Sequence, residues 1–189
     1  VKPIIGCEVY VAPRTRYDKV HGLDSDRYHL ILLCKNETGY QNLLKLVSSA
    51  WVDGFYTKPR VDRDILEKYS EGLIALSGCL FGEVSQKILS RNFDDAKETA
   101  RWYKDTFGDG NYYLEVQNHG MVEEKEVLDS VIRISRELNI PIVATNDVHY
   151  TYEDDMDSHD ILLCLQTGKK LADEYRMRYE GGQYYVKSE

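Results

Sequence analysis

Short apolar runs alternate with amphipathic stretches of helical period along almost the whole chain. The apolar runs, each of strand length, are 4–11, 28–34, 73–76, 112–116 and 142–145. Helical spacing of apolar residues predicts helices over 38–51, 62–69, 82–89, 94–107, 122–138 and 154–165. Because a parallel strand needs a crossover to return, this alternation predicts an α/β fold with a mostly parallel sheet, either a barrel or an open sheet.

Local signals set several of the predicted boundaries. Thr38 is a predicted N-cap for the first helix, and Gly108 is expected to stop the fourth. The run 4–11 and the run 28–34 are expected to pair across a long polar excursion. Near the end of the chain, a Gly-Gly pair before Tyr184-Tyr185-Val186 predicts a short strand or hairpin.

Charge and composition exclude several classes of protein. The 24 Lys plus Arg against 32 Asp plus Glu give a net charge of −8, which opposes an unaided grip on nucleic acid. No apolar run approaches the roughly 18 residues of a membrane span, and no signal segment opens the chain, so a cytoplasmic location without membrane contact is predicted. The cysteines lie singly, which predicts reduced thiols: Cys7, Cys34, Cys79 and Cys164.

The motif Asn146-Asp147-Val148-His149 directly follows the last apolar run. Ligands of α/β proteins bind at the carboxyl ends of the strands, and a carboxylate with an imidazole suits a divalent metal. The sequence therefore points to Asp147 and His149 as metal ligands. The alternative is an Asx turn beside a surface histidine.

Three further residues are either metal ligands or ordinary structural residues. Glu8 lies inside an apolar run, where a carboxylate needs a cation, a donor or a solvent-facing side. If the first two strands pair as a hairpin, Glu8 and His29 can converge on one ion; otherwise both lie on a wet face. Cys79 ends the strand and turn of 73–78, where a thiolate can bind zinc, although a lone cysteine is more often a small buried apolar side chain.

Several weaker candidates for the site each have a functional and a structural interpretation. Glu115 and His119 can point at the same cleft or simply flank a turn. The segment 54–60 interleaves aromatics with Lys58 and Arg60, which suits a phosphate or a single-stranded base, or else a plain connection between helices. His159, in an acidic stretch that caps the last helix, can also face the site.

Taken in order, six short segments resemble a known family. They are Gly6-Cys7-Glu8-Val9-Tyr10, Tyr28-His29-Leu30, Gly54–Arg60, Ser77-Gly78-Cys79-Leu80, Leu114-Glu115-Val116-Gln117 and Asn146–Tyr150. The chain resembles the PHP (polymerase and histidinol phosphatase) domain found in the alpha subunits of bacterial DNA polymerase III, which are C-family replicative polymerases. Each motif alone is weakly specific, whereas their order is strongly so.

The resemblance implies a distorted (β/α)7 barrel with a metal cluster at one mouth. It implies five metal ligands, Glu8, His29, Cys79, Asp147 and His149, with Asp147 and His149 the most central to catalysis. The implied ions are Zn²⁺ or Mn²⁺, with Mg²⁺ as a further candidate. The family's opening HxH motif and two later ligands are absent, and the chain opens on Val1 rather than Met, so an N-terminally truncated fragment with an incomplete barrel and no activity of its own is expected.

The resemblance also implies a domain division and partners. Residues 1–168 are the expected PHP domain, and 169–189 the exit segment toward a polymerase body. Expected partners are the rest of the alpha subunit, DNA through that subunit, and a proofreading exonuclease subunit. The expected activity is metal-dependent phosphoester chemistry, 3′–5′ exonuclease or pyrophosphate hydrolysis, within a DNA-directed DNA polymerase. The alternatives are a metal-poor structural and docking module and a small-molecule phosphatase of the same family.

Overall fold

The computed structural model describes residues 2–188 and has a mixed α/β architecture. Its strands are β1 (Gly6–Val11), β2 (Tyr28–Cys34), β3 (Arg60–Val61), β4 (Leu73–Leu76), β5 (Tyr112–Val116) and β6 (Ile142–Ala144). Its helices are α1 (Glu37–Val52), α2 (Arg63–Lys68), α3 (Glu83–Leu89), α4 (Phe93–Phe107), α5 (Val122–Leu138) and α6 (Met156–Thr167), with a 3₁₀ turn at Glu153–Asp155. All six predicted helices are present.

The six strands form one sheet in the order β3-β1-β2-β4-β5-β6. β2 runs antiparallel to both of its neighbours, β1 and β4. The pairs β1–β3, β4–β5 and β5–β6 are parallel. The sheet is therefore mixed rather than mostly parallel, because β2 enters as an antiparallel hairpin partner of β1. Among residues 2–188 the sheet stays open, in agreement with an incomplete PHP-type barrel.

The core lies between the sheet and its helices. Leu32 of β2, Ala75 of β4 and Leu114 of β5 are completely buried. α1 packs on β1 to β4, α4 packs on β4 and β5, and α5 packs on β5. These central strands read as continuous apolar runs because helices exclude water from them. No helix among residues 2–188 is long and apolar enough to cross a bilayer.

The cap of α1 differs from the prediction. Asn36, not Thr38, is the N-cap, and its side-chain oxygen accepts a hydrogen bond from the backbone N–H of Gly39 at 3.0 Å. Asn36 has the extended backbone that a cap requires, and Thr38 lies inside the first turn. Both residue types cap helices well, so the earlier of two good candidates starts the helix here.

Strand β3 was not predicted. It begins with Arg60 and places the side chain of that residue inside the domain. The guanidinium of Arg60 is 0% exposed and donates hydrogen bonds to four backbone carbonyls, those of Gly54, Asp24, Arg16 and Asp18, at 2.8–3.2 Å. These bonds tie the polar excursion between β1 and β2 to the edge of the sheet. Arg60 is therefore a structural residue, and its charge is not available to a phosphate or a base.

The end of the described chain packs back onto the domain. Tyr150 and Tyr185 form an isolated parallel bridge, where a strand or hairpin was expected. The backbone N–H of Val186 donates to the carbonyl of Thr151 at 3.2 Å, and Tyr184 is buried. Residues 183–186 therefore lie alongside residues 146–151.

Candidate metal centre

Glu8 of β1 and His29 of β2 meet across the antiparallel pair. The register places His29 opposite Tyr10 and Glu8 opposite Ile31, so the two residues are diagonal neighbours on one face. Nδ1 of His29 lies 2.6 Å from Oε1 of Glu8. The hairpin pairing that the sequence required for a shared site is thus present.

Cys79 approaches the same imidazole from the turn after β4. Its Sγ lies 3.7 Å from Nδ1 of His29. The approach depends on Gly78, which has a φ of +79° and whose missing side chain would stand 2.8 Å from the carbonyl oxygen of His29. A glycine in the turn after β4 therefore allows the thiol to reach His29.

The charges of this group are coupled. The hydrogen bond from His29 lowers the pKa of Glu8, against the opposing effect of burial. Burial also opposes a charge on His29, but hydrogen bonds with Cys79 and Glu8 outweigh it and raise the pKa of His29 to about 9. In the absence of metal, Glu8 and His29 are therefore an ion pair at neutral pH.

Asp147 and His149 lie in the loop after β6. Asp147 has a φ of +40°, and its carbonyl oxygen lies 2.6 Å from Nδ1 of His149. A carbonyl only accepts, so Nδ1 of His149 carries the hydrogen and Nε2 of the neutral ring carries the lone pair. A histidine whose Nδ1–H is held by a backbone carbonyl has the orientation of a metal ligand that binds through Nε2.

The group of Glu8, His29 and Cys79 and the loop of Asp147 and His149 influence each other electrostatically. The charge of His149 contributes to the lowered pKa of Glu8. The ring of Tyr179 lies 4.2 Å from that of His149, centroid to centroid, and burial followed by the charges of Asp147, Cys79 and Glu8 raises the pKa of Tyr179. Tyr179 therefore packs on the loop after β6, and its pKa responds to charges from both groups.

The donors are not arranged as a finished metal site. Among residues 2–188, no three His, Cys, Asp or Glu side chains converge on a common point that could hold an ion. Glu8 and His29 satisfy each other, and His149 bonds to its own loop. The donor chemistry itself fits a divalent ion, because carboxylate, imidazole and thiolate together suit zinc and similar borderline metals.

Glu115 supports the site without entering it as a free ligand. Its carboxylate accepts hydrogen bonds from the backbone N–H of Gly78 at 3.0 Å and from the hydroxyl of Thr145. Burial raises the pKa of Glu115, and these hydrogen bonds oppose that rise. Glu115 therefore links the turn that carries Cys79 to the end of β6.

His119 is also occupied. It is 3% exposed, with Nδ1 at 2.5 Å from Oε1 of Glu124 and Nε2 at 3.0 Å from the carbonyl oxygen of Asn146. Its ring stacks on Tyr184 at 3.9 Å between centroids. Sequence reasoning missed Glu124 and Tyr184 as partners of His119. A signal for Glu124 was available, because it is a carboxylate in the first turn of a helix, five residues after a histidine.

His159 lies beside the loop after β6. Its ring is 5.7 Å from that of His149 and 5.1 Å from that of Tyr179, centroid to centroid. Burial, followed by the charge of His149, lowers the pKa of His159. Of the weaker candidates, His159 is thus the one that flanks His149.

Comparison with known proteins gives one family. The chain is 47% identical over 189 residues to the DNA polymerase III subunit alpha of Treponema pallidum (strain Nichols), and 45% identical over 190 residues to that of Thermus aquaticus. Each alignment covers 100% of this chain and 16% of the relative, so the chain spans about a sixth of the length of these curated relatives. Residues 1–119, which include Glu8, His29 and Cys79, match the PHP domain. The chain belongs to the PHP domain family.

Proposed function

We propose that this chain is the PHP portion of a DNA polymerase III alpha subunit and that its site hydrolyses phosphoesters with the aid of divalent metal ions. The substrate class is the 3′-terminal phosphodiester of DNA or the pyrophosphate released by polymerisation. The observation that supports the proposal is the contact of His29 on β2 with Glu8 on β1 and with Cys79 in the turn after β4. The charge of His149 acts on Glu8, which links this group to the loop of Asp147 and His149. The similarity to alpha subunits over the whole chain supports the polymerase context.

The five predicted ligands provide the donors for such ions. Glu8 and Asp147 would contribute carboxylate oxygens, His29 and His149 imidazole nitrogens, and Cys79 a thiolate. A bound divalent ion supplies Lewis acidity toward a phosphoryl oxygen and lowers the pKa of bound water. Zn²⁺ and Mn²⁺ suit this mixed donor set better than Mg²⁺, which prefers oxygen ligands alone.

The residues of the chain have separate tasks in this scheme. A protonated His29 must lose one ring proton before one of its nitrogens can bind metal, so loading releases a proton. His149 already presents Nε2, because its Nδ1–H is held by the carbonyl of Asp147. Tyr179 and Tyr184, whose ring centroids lie 4.9 Å apart, pack against the ring of His149 on one side of the loop. The acidic chain relies on the rest of the subunit to hold DNA.

The test is Asp147→Asn in the intact polymerase subunit. We expect loss of metal-dependent 3′–5′ exonuclease and pyrophosphatase activity, with nucleotide incorporation retained, because polymerisation needs its own carboxylates elsewhere. Asp24→Asn is the matched control. It also replaces a carboxylate by an amide, at a buried position paired with Arg14, and it should leave hydrolysis unchanged. Hydrolysis that persists in Asp147→Asn contradicts the proposal, and loss of incorporation together with hydrolysis assigns Asp147 to the stability of the whole subunit.

A second candidate function is a structural and docking module without metal. The observation that favours it is the mutual satisfaction of Glu8 and His29, which form an ion pair that needs no cation. Elemental analysis of the intact subunit distinguishes the two. The phosphoesterase proposal expects about two or three divalent ions per subunit, as in multi-metal phosphoesterases, whereas less than one equivalent after metal-supplemented purification supports the docking module.

A further inference from the structure

Asn146 is a junction for three separate parts of the chain. Its side-chain amide donates to the carbonyls of Gln183 and Tyr185, both at 2.8 Å. Its own carbonyl oxygen accepts from Nε2 of His119 at 3.0 Å. The residue that immediately precedes Asp147 is thus held from two sides, by the end of the described chain and by the turn before α5.

His119 is oriented from both ends of its ring. The carbonyl oxygen of Asn146 can only accept, so Nε2 donates to it, while Nδ1 shares a hydrogen bond with the carboxyl group of Glu124. Glu124 is itself fixed, because its other oxygen accepts from the backbone N–H groups of His119 at 2.7 Å and Met121 at 3.3 Å. The first turn of α5 therefore holds the imidazole in one position.

The stacking partner of His119 also reaches the loop. The carbonyl oxygen of Tyr184 accepts hydrogen bonds from the backbone N–H of His149 at 2.8 Å and of Tyr150 at 3.3 Å. The ring of Tyr184 lies flat on that of His119, with 7° between the planes. His119 is thus connected to residues 146–150 by its own hydrogen bond and through the segment stacked on it.

We propose that His119 and Glu124 are positioning residues that fix the loop of Asp147 and His149 for metal binding. Neither touches the ion: Glu124 orients His119, and His119 holds Asn146 and Tyr184, which hold the backbone on both sides of Asp147 and at His149. The effect on metal binding rests on the proposed function, whereas the effect on the loop does not. Partners that orient ligands from behind typically change metal affinity by 10- to 100-fold.

The first measurement is hydrogen–deuterium exchange of the intact, metal-free subunit by mass spectrometry. His119→Phe keeps a flat ring against Tyr184 and removes both ring nitrogens. Glu124→Gln keeps His119 and replaces the carboxylate by an amide. We expect exchange in peptides covering 146–151 and 183–186 to rise about tenfold in His119→Phe, as the loss of one buried hydrogen bond implies, and less in Glu124→Gln. Exchange in β4 and β5 should not change.

The second measurement is the affinity for Co²⁺, whose visible absorption reports coordination number. We expect both variants to bind Co²⁺ at least about tenfold more weakly, with a weaker visible absorption band where water replaces a protein ligand and raises the coordination number. Asp24→Asn, a buried carboxylate with no bond to the loop, is the control and should leave exchange of 146–151 and Co²⁺ affinity unchanged.

The exchange and Co²⁺ measurements together test the positioning role and the metal function. Local loosening of 146–151 together with weaker Co²⁺ binding supports the positioning role. Unchanged exchange there, or a uniform rise over the whole domain, overturns it, as does local loosening with unchanged Co²⁺ affinity. A wild-type subunit that binds no Co²⁺ refutes the metal function and with it the effect on metal binding, while the exchange data still show whether His119 holds the loop.

Discussion

Replacing Glu8 with Gln should remove a pH-dependent part of the stability of the metal-free chain. In the folded chain the pKa of His29 is about 9, against an ordinary value of 6.5, because hydrogen bonds with Cys79 and Glu8 outweigh the effect of burial. A group with a raised pKa stabilises the folded state fully below its unfolded pKa. The contribution is therefore complete below about pH 6.5 and is lost as the pH rises through about 9.

The size of this contribution follows from the pKa difference and the exposure of the pair. At 1.36 kcal/mol per pH unit, the difference corresponds to about 3 kcal/mol as an upper bound. The side chains of His29 and Glu8 are 23% and 40% exposed, so water screens their interaction and about 1–2 kcal/mol is the realistic expectation. Part of it survives in Glu8→Gln, because the contact of His29 with Cys79 remains.

The assay is urea unfolding of the 189-residue chain with a chelator present, at pH 6 and at pH 9.5. We expect the free energy of unfolding of the wild type to fall by about 1 kcal/mol more between these pH values than that of Glu8→Gln. Titration of other groups is common to both proteins and cancels in the comparison. Equal pH dependence in the two proteins would refute the assigned coupling between Glu8 and His29.

Three further changes give independent tests. Cys79→Ser should weaken metal binding by the intact subunit less than Asp147→Asn does, because a hydroxyl is a poor but usable substitute ligand; equal losses in a chelator competition would contradict this. Arg60→Ala should lower the free energy of unfolding by about 3–5 kcal/mol by leaving two buried and two partly buried carbonyls without this donor, measured against Arg63→Ala, whose partly exposed side chain should cost under about 1 kcal/mol. Gly78→Ala should cost about 1–3 kcal/mol in thermal unfolding because a side chain at this positive φ is strained and meets the carbonyl of His29; an unchanged melting temperature would show that the turn can relax.

The regular elements could be predicted from the sequence because each carries its own period. The runs that became β2, β4 and β5 and the helices α4 and α5 are long enough for a repeat of apolar residues to appear. β3 has only two residues and begins with Arg60, so no local pattern announces it. The buried guanidinium of Arg60 meets three carbonyls from the excursion between β1 and β2 and the carbonyl of Gly54, so β3 depends on tertiary contacts.

The predicted ligand set was recognisable by residue type and by order along the chain. Its roles as ligands remain a prediction, as does the domain boundary at residue 168. The structure adds the diagonal contact of Glu8 and His29, which depends on the register of β1 and β2. The pairing of His119 with Glu124 is local and has a signal in the sequence, whereas the bond from His119 to Asn146 could not be predicted, because these two positions are brought together only by the fold.

The return of residues 183–186 to the loop after β6 sets the order in which the site can be completed during synthesis. Glu8 and His29 can pair as soon as β1 and β2 have formed, since only a short length of chain separates them. Asn146 and His149 find their backbone partners only when Gln183, Tyr184 and Tyr185 have been made. The nascent chain therefore has a folded sheet before it has a positioned Asp147 and His149, and the centre is among the last parts to become native.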